Sequence, residues 1–193
     1  MLMGTTENES VYYLTREEIK KIITVAGSLR DRVIIKILAR TGMRRGELRD
    51  LEVRDVDFDK RRIFIRSGKG DKSRTVPVDQ DTLQDVRFYL GERKDGKLIQ
   101  SNKAESISLK QINEICAKTG KIAGVKHPNP AKEEINPHLF RHSFARFMLE
   151  KGMRMEEVQK VLGHSSIKTT IDVYGTPGME SVQNSYDRIM EDT

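Results

Sequence analysis

The sequence lacks the features that mark secreted and membrane proteins. It contains a single cysteine, Cys116, which excludes an internal disulfide and a cysteine-rich zinc cluster. No apolar run approaches the roughly 18 to 20 residues that a membrane-spanning helix needs. The N-terminus is polar and has no apolar segment of the kind found in signal peptides. These absences predict an intracellular, cytoplasmic protein with no membrane partner.

The composition is that of a folded, basic protein. The 193 residues show no low-complexity break and are predicted to form one substantial domain. Hydrophobic residues make up 36% and charged residues 33%, a balance that favours a globular protein with a modest core over a disordered chain. The formal net charge of +6 favours a polyanionic partner such as nucleic acid, although an anionic membrane surface would also attract such a protein.

Apolar residues recur at helical spacing through most of the chain. Thr15 and Glu18 have the Thr-x-x-Glu form of a capping box, and Asn136 can cap a helix that has Pro137 at its first position. Cys116 lies within such an apolar pattern and is expected in the core. Helices are predicted after Thr15 and Asp79, at about 30–41, 45–51, 108–123, 137–152 and 155–163, and after Ser165 or Ser166.

One region has the alternating pattern of strands instead. Residues 53–58, 63–66 and 74–78 favour three short strands, with turns near 59–60 and in the glycine-containing segment 67–72. The predicted fold class is therefore mainly α with a small three-stranded antiparallel β-sheet.

His138 and Arg141 are the first candidates for chemistry. They lie three residues apart in the first turns of a predicted helix, so both side chains can project to one side, near a helix N-terminus that attracts anions. The pair could therefore bind a phosphate. A His-x-x-Arg spacing also arises by chance, so the pair needs support from other segments.

Four segments in a fixed order resemble the sequence boxes of tyrosine recombinases and phage integrases. Residues 41–48 resemble the Thr-Gly-x-Arg-x-x-Glu-Leu box, and 68–78 resemble the β-hairpin that holds the family's catalytic lysine. Residues 138–145 are similar to the His-x-x-Arg box, and 162–170 to the Leu-Gly-His-x-x-x-x-Thr-Thr stretch that leads to the nucleophile, here Tyr174. The resemblance, closest to Xer-like members, implies the catalytic-domain fold of DNA breaking-rejoining enzymes.

The resemblance assigns Arg44, Arg141 and Tyr174 to the phosphodiester. Two guanidiniums can neutralise the charge that grows on the nonbridging oxygens during attack, and each can bind them bidentately. A free tyrosine has a pKa near 10, so Tyr174 needs a proton acceptor and an electropositive setting to act as a nucleophile.

The resemblance assigns the remaining catalytic roles to His138, His164 and Lys69. His138 is expected to assist as the base, His164 to donate a hydrogen bond to the phosphate, and Lys69 to protonate the departing 5′ oxygen. The products would be a 3′-phosphotyrosine and a free 5′ hydroxyl. A 5′ hydroxyl from another strand can reverse the step, so the reaction is expected to need no metal, ATP or other cofactor.

Other residues near these boxes receive lesser roles. Arg45, Lys72 and Arg74 are expected to contact DNA, with a solvated surface charge as the alternative. Glu47 is interpreted as orienting its neighbours, or as part of a buried ion pair. His142 is interpreted as structural or as contacting the backbone. His127 is interpreted as surface-exposed.

The predicted protein is a site-specific DNA recombinase or integrase with double-stranded DNA as its partner. Strand exchange in the family needs four protomers on two DNA sites, although the free chain could be a monomer. Residues 1–14 are expected to be a flexible leader, and 15–193 the single catalytic domain. Because 1–14 cannot build the family's separate N-terminal DNA clamp, the chain is interpreted as a fragment of a longer integrase or as a minimal member.

Three other functions stay open at this point. A type IB topoisomerase-like enzyme shares the same chemistry but relaxes DNA without exchanging strands between sites. A basic DNA-binding module that has lost catalysis would keep only the charge. A metal hydrolase using His138 and His164 is disfavoured, because no carboxylate stands at a convincing ligand spacing beside them.

Overall fold

The computed structural model describes residues 12–66, 73–101 and 104–163, together with positions 183, 186, 187 and 190. This part of the chain confirms the predicted fold class: it is mainly helical with a three-stranded antiparallel sheet. The helices are α1 (Arg16–Thr24), α2 (Leu29–Thr41), α3 (Arg45–Asp50), α4 (Gln80–Leu90), α5 (Leu109–Ile122), α6 (Pro137–Glu150) and α7 (Met155–Leu162). The strands are β1 (Val56–Asp57), β2 (Arg62–Ile65) and β3 (Arg74–Pro77).

Local signals determine where most helices begin and end. The Thr15 hydroxyl accepts a hydrogen bond from the Glu18 N–H at 3.2 Å, and the Glu18 carboxylate accepts one from the Thr15 N–H, which confirms the predicted capping box. The Asn136 side chain caps α6 by accepting a hydrogen bond from a backbone N–H of its first turn. Gly42 and Gly163 end α2 and α7 in the left-handed conformation that glycine adopts without steric cost.

The first strand is shorter than the sequence pattern predicts. Val53–Asp55 forms a 3₁₀ turn, and only Val56–Asp57 pairs with β2. The Asp55 carboxylate accepts hydrogen bonds from the Glu52 N–H at 2.9 Å and from the Arg66 guanidinium, and these bonds hold the chain in a turn. The prediction of a strand from 53 was wrong because side-chain hydrogen bonds of this kind compete with an extended backbone.

The core surrounds α2, whose side chains Val33, Ile34, Ile37 and Leu38 are fully buried. Helix α2 packs against α1, α4 and α6, and it carries the segment that leads into Arg44. Cys116 is also buried, as predicted, and burial raises the pKa of its thiol.

The packed part of the chain starts earlier than the predicted boundary at Thr15. Leu14 is fully buried, and its N–H donates a hydrogen bond to the Ser143 hydroxyl at 2.8 Å. Leu14, which the prediction assigns to residues 1–14, is therefore part of the core. Within the described ranges, no helix combines the length and apolarity needed to cross a bilayer.

An ion cluster centred on the buried Lys36 and Asp85 side chains joins α2 to α4. The Lys36 ammonium, on a side chain that is only 8% exposed, lies 2.7 Å from an Asp85 carboxylate oxygen and 2.8 Å from one of Asp81. Arg32 donates two further hydrogen bonds to Asp85. Burial alone would raise the pKa of Asp85, but the hydrogen bonds and charges of Lys36 and Arg32 outweigh it and lower that pKa.

We expect Asp85→Asn to lower the free energy of unfolding by about 3 kcal/mol at pH 7, because it leaves Lys36 with a weakened set of counterions. A carboxylate with a lowered folded-state pKa stabilises the fold above its unfolded-state pKa, and this contribution is lost as pH falls through the folded-state value. The difference between wild type and variant in urea denaturation should therefore shrink as the pH falls below about 4. Asp59→Asn, at an exposed turn carboxylate, is the matched control. A difference that stays constant with pH would contradict this account.

Candidate functional site

A surface pocket of about 520 Å³ brings together residues from separate parts of the sequence. Three of the predicted site residues line it: Arg44 and Arg45 at the start of α3, and His138 in the first turn of α6. The other lining residues are Gly46, Glu47, Asp50, Leu51, Asp55, Ile65, Arg66, Lys97 and Leu109. Chain segments almost a hundred residues apart thus supply one pocket, which is lined by four cationic side chains and three carboxylates.

Arg44 is held in the pocket by Glu47. Its backbone N–H donates a hydrogen bond to one Glu47 carboxylate oxygen at 2.7 Å, and its guanidinium donates to the other at 3.3 Å. The Arg44 side chain remains 35% exposed, so it can be reached from the pocket. Both interpretations of Glu47 fit what is observed, since this residue orients Arg44 and also forms a buried ion pair with Arg74.

Arg141 lies deeper than Arg44 and joins two helix ends. Its guanidinium donates one hydrogen bond to the Gly42 carbonyl at 2.7 Å and one to the Leu162 carbonyl at 2.8 Å. These carbonyls stand at the C-terminal ends of α2 and α7, where the helix dipole favours a positive charge. Arg141 therefore fixes the end of α2, just before Arg44, relative to the end of α7, just before His164.

His138 lies close to three guanidiniums, and its pKa is affected by all of them. Partial burial lowers the pKa of its imidazole, and the charges of Arg45, Arg141 and Arg44 lower it further. The imidazole is therefore neutral at pH 7 and can accept a proton, which a charged imidazolium cannot do.

Arg74 is placed differently from the prediction that it contacts DNA. Its side chain is 8% exposed, and its guanidinium pairs with both carboxylate oxygens of Glu47, at 2.7 and 2.9 Å. Its Nε atom donates a further hydrogen bond to the Val161 carbonyl at 2.7 Å. These contacts direct the guanidinium into the protein, toward Glu47 and the end of α7.

His127 was expected on the surface, and this was wrong. It is 7% exposed, and its Nδ1 atom accepts a hydrogen bond from the Asn129 N–H at 3.0 Å. Its position beside Pro128 indicated a loop, but a loop residue can still pack inward.

The other predicted site residues lie outside the described part of the chain. They are Lys69, Lys72, His164 and Tyr174, and their roles stay predictions. Among the residues that are described, no three His, Cys, Asp or Glu side chains are grouped so that they could hold a metal ion.

Sequence comparison decides which family these features represent. The model of the phage integrase family matches residues 12–180, which is most of the chain. The chain belongs to the phage integrase family. Its four ordered boxes, and the pocket that Arg44 and His138 share, are thus features of a phage integrase family domain.

Among curated relatives of this integrase domain is tyrosine recombinase XerA of Pyrococcus horikoshii. The two are 36% identical over 162 residues, which cover 81% of this chain and 54% of the relative. The chain therefore spans about half the length of the curated relatives it matches.

Solved structures show the same fold. A crystal structure of XerA recombinase superposes with a TM-score of 0.77 at 28% identity, covering 97% of this chain and 66% of that one. XerH site-specific recombinase bound to difH substrate, in a pre-cleavage complex, gives a TM-score of 0.75 at 25% identity and covers 96% of this chain and 56% of that one. The helical fold with its small sheet is thus that of the tyrosine recombinase catalytic domain.

Sequence reasoning missed two cations of this integrase pocket. Arg66, at the end of β2, pairs with Glu52 and Asp55, and Lys97 lies 3.6 Å from Glu52. Alternation in β2 could have drawn attention to Arg66. Lys97 had no signal, because the segment 91–106 shows no periodicity and is brought to the pocket by contacts distant in sequence, among them a bridge between Glu52 and Lys97.

Proposed function

We propose that this chain carries the catalytic part of a site-specific DNA recombinase that cleaves and rejoins double-stranded DNA through a 3′-phosphotyrosine on Tyr174. One observation carries the proposal: Arg44, Arg45 and His138 line one pocket, and Arg141 lies close enough to lower the pKa of His138. An anionic phosphodiester is the ligand that this group of cations would bind most strongly.

The arginines would neutralise the phosphate while it is attacked. Guanidiniums stay protonated at every physiological pH, so their charge is constant while the histidine can exchange its proton. Arg44 reaches the pocket from α3, and Arg141 is already oriented by two backbone carbonyls. Such fixed charges stabilise a developing negative charge without reorganising during the reaction.

The proposed reaction balances without an external reagent. The Tyr174 phenol gives its proton to His138, and its oxygen forms a bond to phosphorus while the bond to the 5′ oxygen breaks. Lys69 supplies the proton that makes the 5′ oxygen a free hydroxyl. A 5′ hydroxyl from a second strand then attacks the phosphotyrosine and gives its proton to Lys69, while the released Tyr174 takes back the proton from His138.

The proposed partner is double-stranded DNA that carries a recombination site. Strand exchange would require self-association on DNA into a tetramer, with a monomer as the free state. The sedimentation or light-scattering mass of the chain with and without DNA would test this part of the proposal.

The decisive experiment is covalent trapping. The chain is incubated in excess chelator with a randomised duplex library that carries one nick, so that the short strand released by cleavage diffuses away. We expect a protein–DNA adduct that survives denaturant. DNA binding without any adduct would indicate a binding module, and cleavage that occurs only without chelator would indicate a metal hydrolase.

A second measurement separates recombinase from topoisomerase. A site-specific recombinase should form adducts at a restricted set of sequences within the library. Relaxation of supercoiled plasmids with no sequence requirement would instead support the type IB topoisomerase-like alternative.

The lowered pKa of His138 predicts how cleavage depends on pH. Protonation of a general base removes its function, so the rate of adduct formation should fall on acidification, with a midpoint below pH 6.5. His138→Gln should slow adduct formation by about 10²- to 10⁴-fold. It should also remove the fall in rate on acidification, the acid limb of the pH profile. His142→Gln, one turn further along α6, is the matched control and should keep it. An acid limb that persists in His138→Gln would assign the titration to another group.

A further inference from the structure

Glu47 is the most heavily engaged carboxylate of the pocket. Arg74 donates to both of its oxygens, and Arg44 donates through both its backbone N–H and its guanidinium. The Glu47 side chain is 13% exposed and that of Arg74 is 8% exposed, so solvent screens this pair weakly. The two side chains are 27 positions apart in the sequence, on α3 and β3.

The charge of Glu47 matters because this residue adjoins the phosphate-binding pocket. Burial would raise the pKa of Glu47, but the hydrogen bonds from Arg74 and Arg44 outweigh it and lower that pKa, so the carboxylate is ionised at neutral pH. With Arg44 as its only partner, this carboxylate would cancel the charge of Arg44 and repel a phosphate. With Arg74 present, the three groups together carry one positive charge.

Arg74 also contacts the end of α7. Its Nε atom donates to the Val161 carbonyl, in the last turn of that helix. A Cβ atom added to Gly163 would lie 2.8 Å from Nη1 of Arg74, so the guanidinium packs directly against the residue that ends α7. Arg74 thus links β3, α3 and the C-terminal end of α7.

We propose that Arg74 is a positioning residue for DNA cleavage: its bidentate pair with Glu47 leaves Arg44 with its positive charge available to the phosphate, and its bond to Val161 fixes the end of α7. This inference rests on the proposed recombinase function. Arg74 does not touch the phosphate in this arrangement, and it acts through Arg44 and α7.

The test compares adduct formation at saturating DNA in three variants with wild type. Arg74→Met should slow adduct formation by about 100-fold, because Glu47 then neutralises Arg44 and the end of α7 keeps only its contact with Arg141. The double variant Glu47→Gln with Arg74→Met removes both charges. It should form the adduct at least about tenfold faster than Arg74→Met alone. Arg32→Met, which breaks another bidentate arginine–carboxylate pair outside the pocket, should leave the rate within about twofold of wild type.

The recovery in the double variant reports on the charge of Arg44 when the variants are compared at a temperature where urea denaturation shows all of them to be folded. If urea denaturation shows that Arg74→Met is not folded, Arg74→Lys is used in its place. An ammonium cannot form the bidentate pair, so we expect adduct formation to be about tenfold slower than in wild type. A wild-type rate in Arg74→Met or in Arg74→Lys, or a double variant as slow as Arg74→Met, overturns the inference while the proposed function stands. A wild-type chain that forms no adduct overturns both.

Discussion

Tyr174→Phe is expected to abolish the covalent protein–DNA adduct, with a loss on the order of 10⁶-fold that places the rate below detection. The substitution removes only the phenolic oxygen that would bond to phosphorus, and it keeps the aromatic ring. DNA binding should be unchanged, because affinity depends on many phosphate contacts with basic side chains. The measurement is the amount of adduct that survives denaturant on the nicked duplex library.

Tyr186→Phe is the matched control for this experiment, because Tyr186 is the other tyrosine in the C-terminal part of the chain. Its side chain is exposed, so the substitution should leave both adduct formation and stability at wild-type levels. Tyr89 is a less suitable control, since its hydroxyl accepts a hydrogen bond from the Gln100 N–H at 3.2 Å. An adduct that persists in Tyr174→Phe would assign the nucleophile to another residue, and peptide mapping of that adduct would identify it.

Arg141→Ala should separate DNA binding from DNA cleavage. Loss of one preorganised cation at the phosphate is expected to slow adduct formation by about 10²- to 10³-fold. The dissociation constant for DNA should change by only a few-fold and should keep most of its salt dependence, because a single phosphate contact is lost. Binding isotherms at several salt concentrations, together with single-turnover adduct formation, provide both measurements.

The buried position of Arg141 adds a second effect to this prediction. The substitution leaves the Gly42 and Leu162 carbonyls without their donor, so the free energy of unfolding should fall by about 3 kcal/mol. Arg146→Ala, on the same helix, removes an arginine whose ion pair with Glu150 is partly exposed, and it should affect neither stability nor cleavage strongly. If Arg141→Ala lost binding and cleavage equally at a temperature where it is folded, the separation of roles would be wrong.

The fold was largely predictable because its signals are local. The capping box of Thr15 and Glu18 and the Asn136 cap before Pro137 lie within a few residues of the helix ends that they define. The exceptions have physical causes that local patterns do not contain. Asp55 holds a turn where alternation favoured a strand, and Leu14 enters the core by bonding to Ser143, which is 129 positions away.

The candidate site was predictable in part. The boxes identified Arg44, Arg45 and His138, and the structure places all three on one pocket. They did not identify the acceptors of Arg141 or the contribution of Lys97. Arg74 was expected to contact DNA, whereas a carboxylate on another element holds its guanidinium inside the protein.

The sequence by itself determined the class of protein, the order of its helices and strands, and the residue types of the site. These follow from periodicity, capping and box spacing, which act over a few neighbouring residues. Only the tertiary structure decided which groups pair: the Glu47 carboxylate with the Arg74 guanidinium across 27 positions, and the Arg141 guanidinium with the Gly42 carbonyl across 99. An ion pair or a buried hydrogen bond depends on distance in space and on exclusion of water, and neither is fixed until the helices and the sheet have packed.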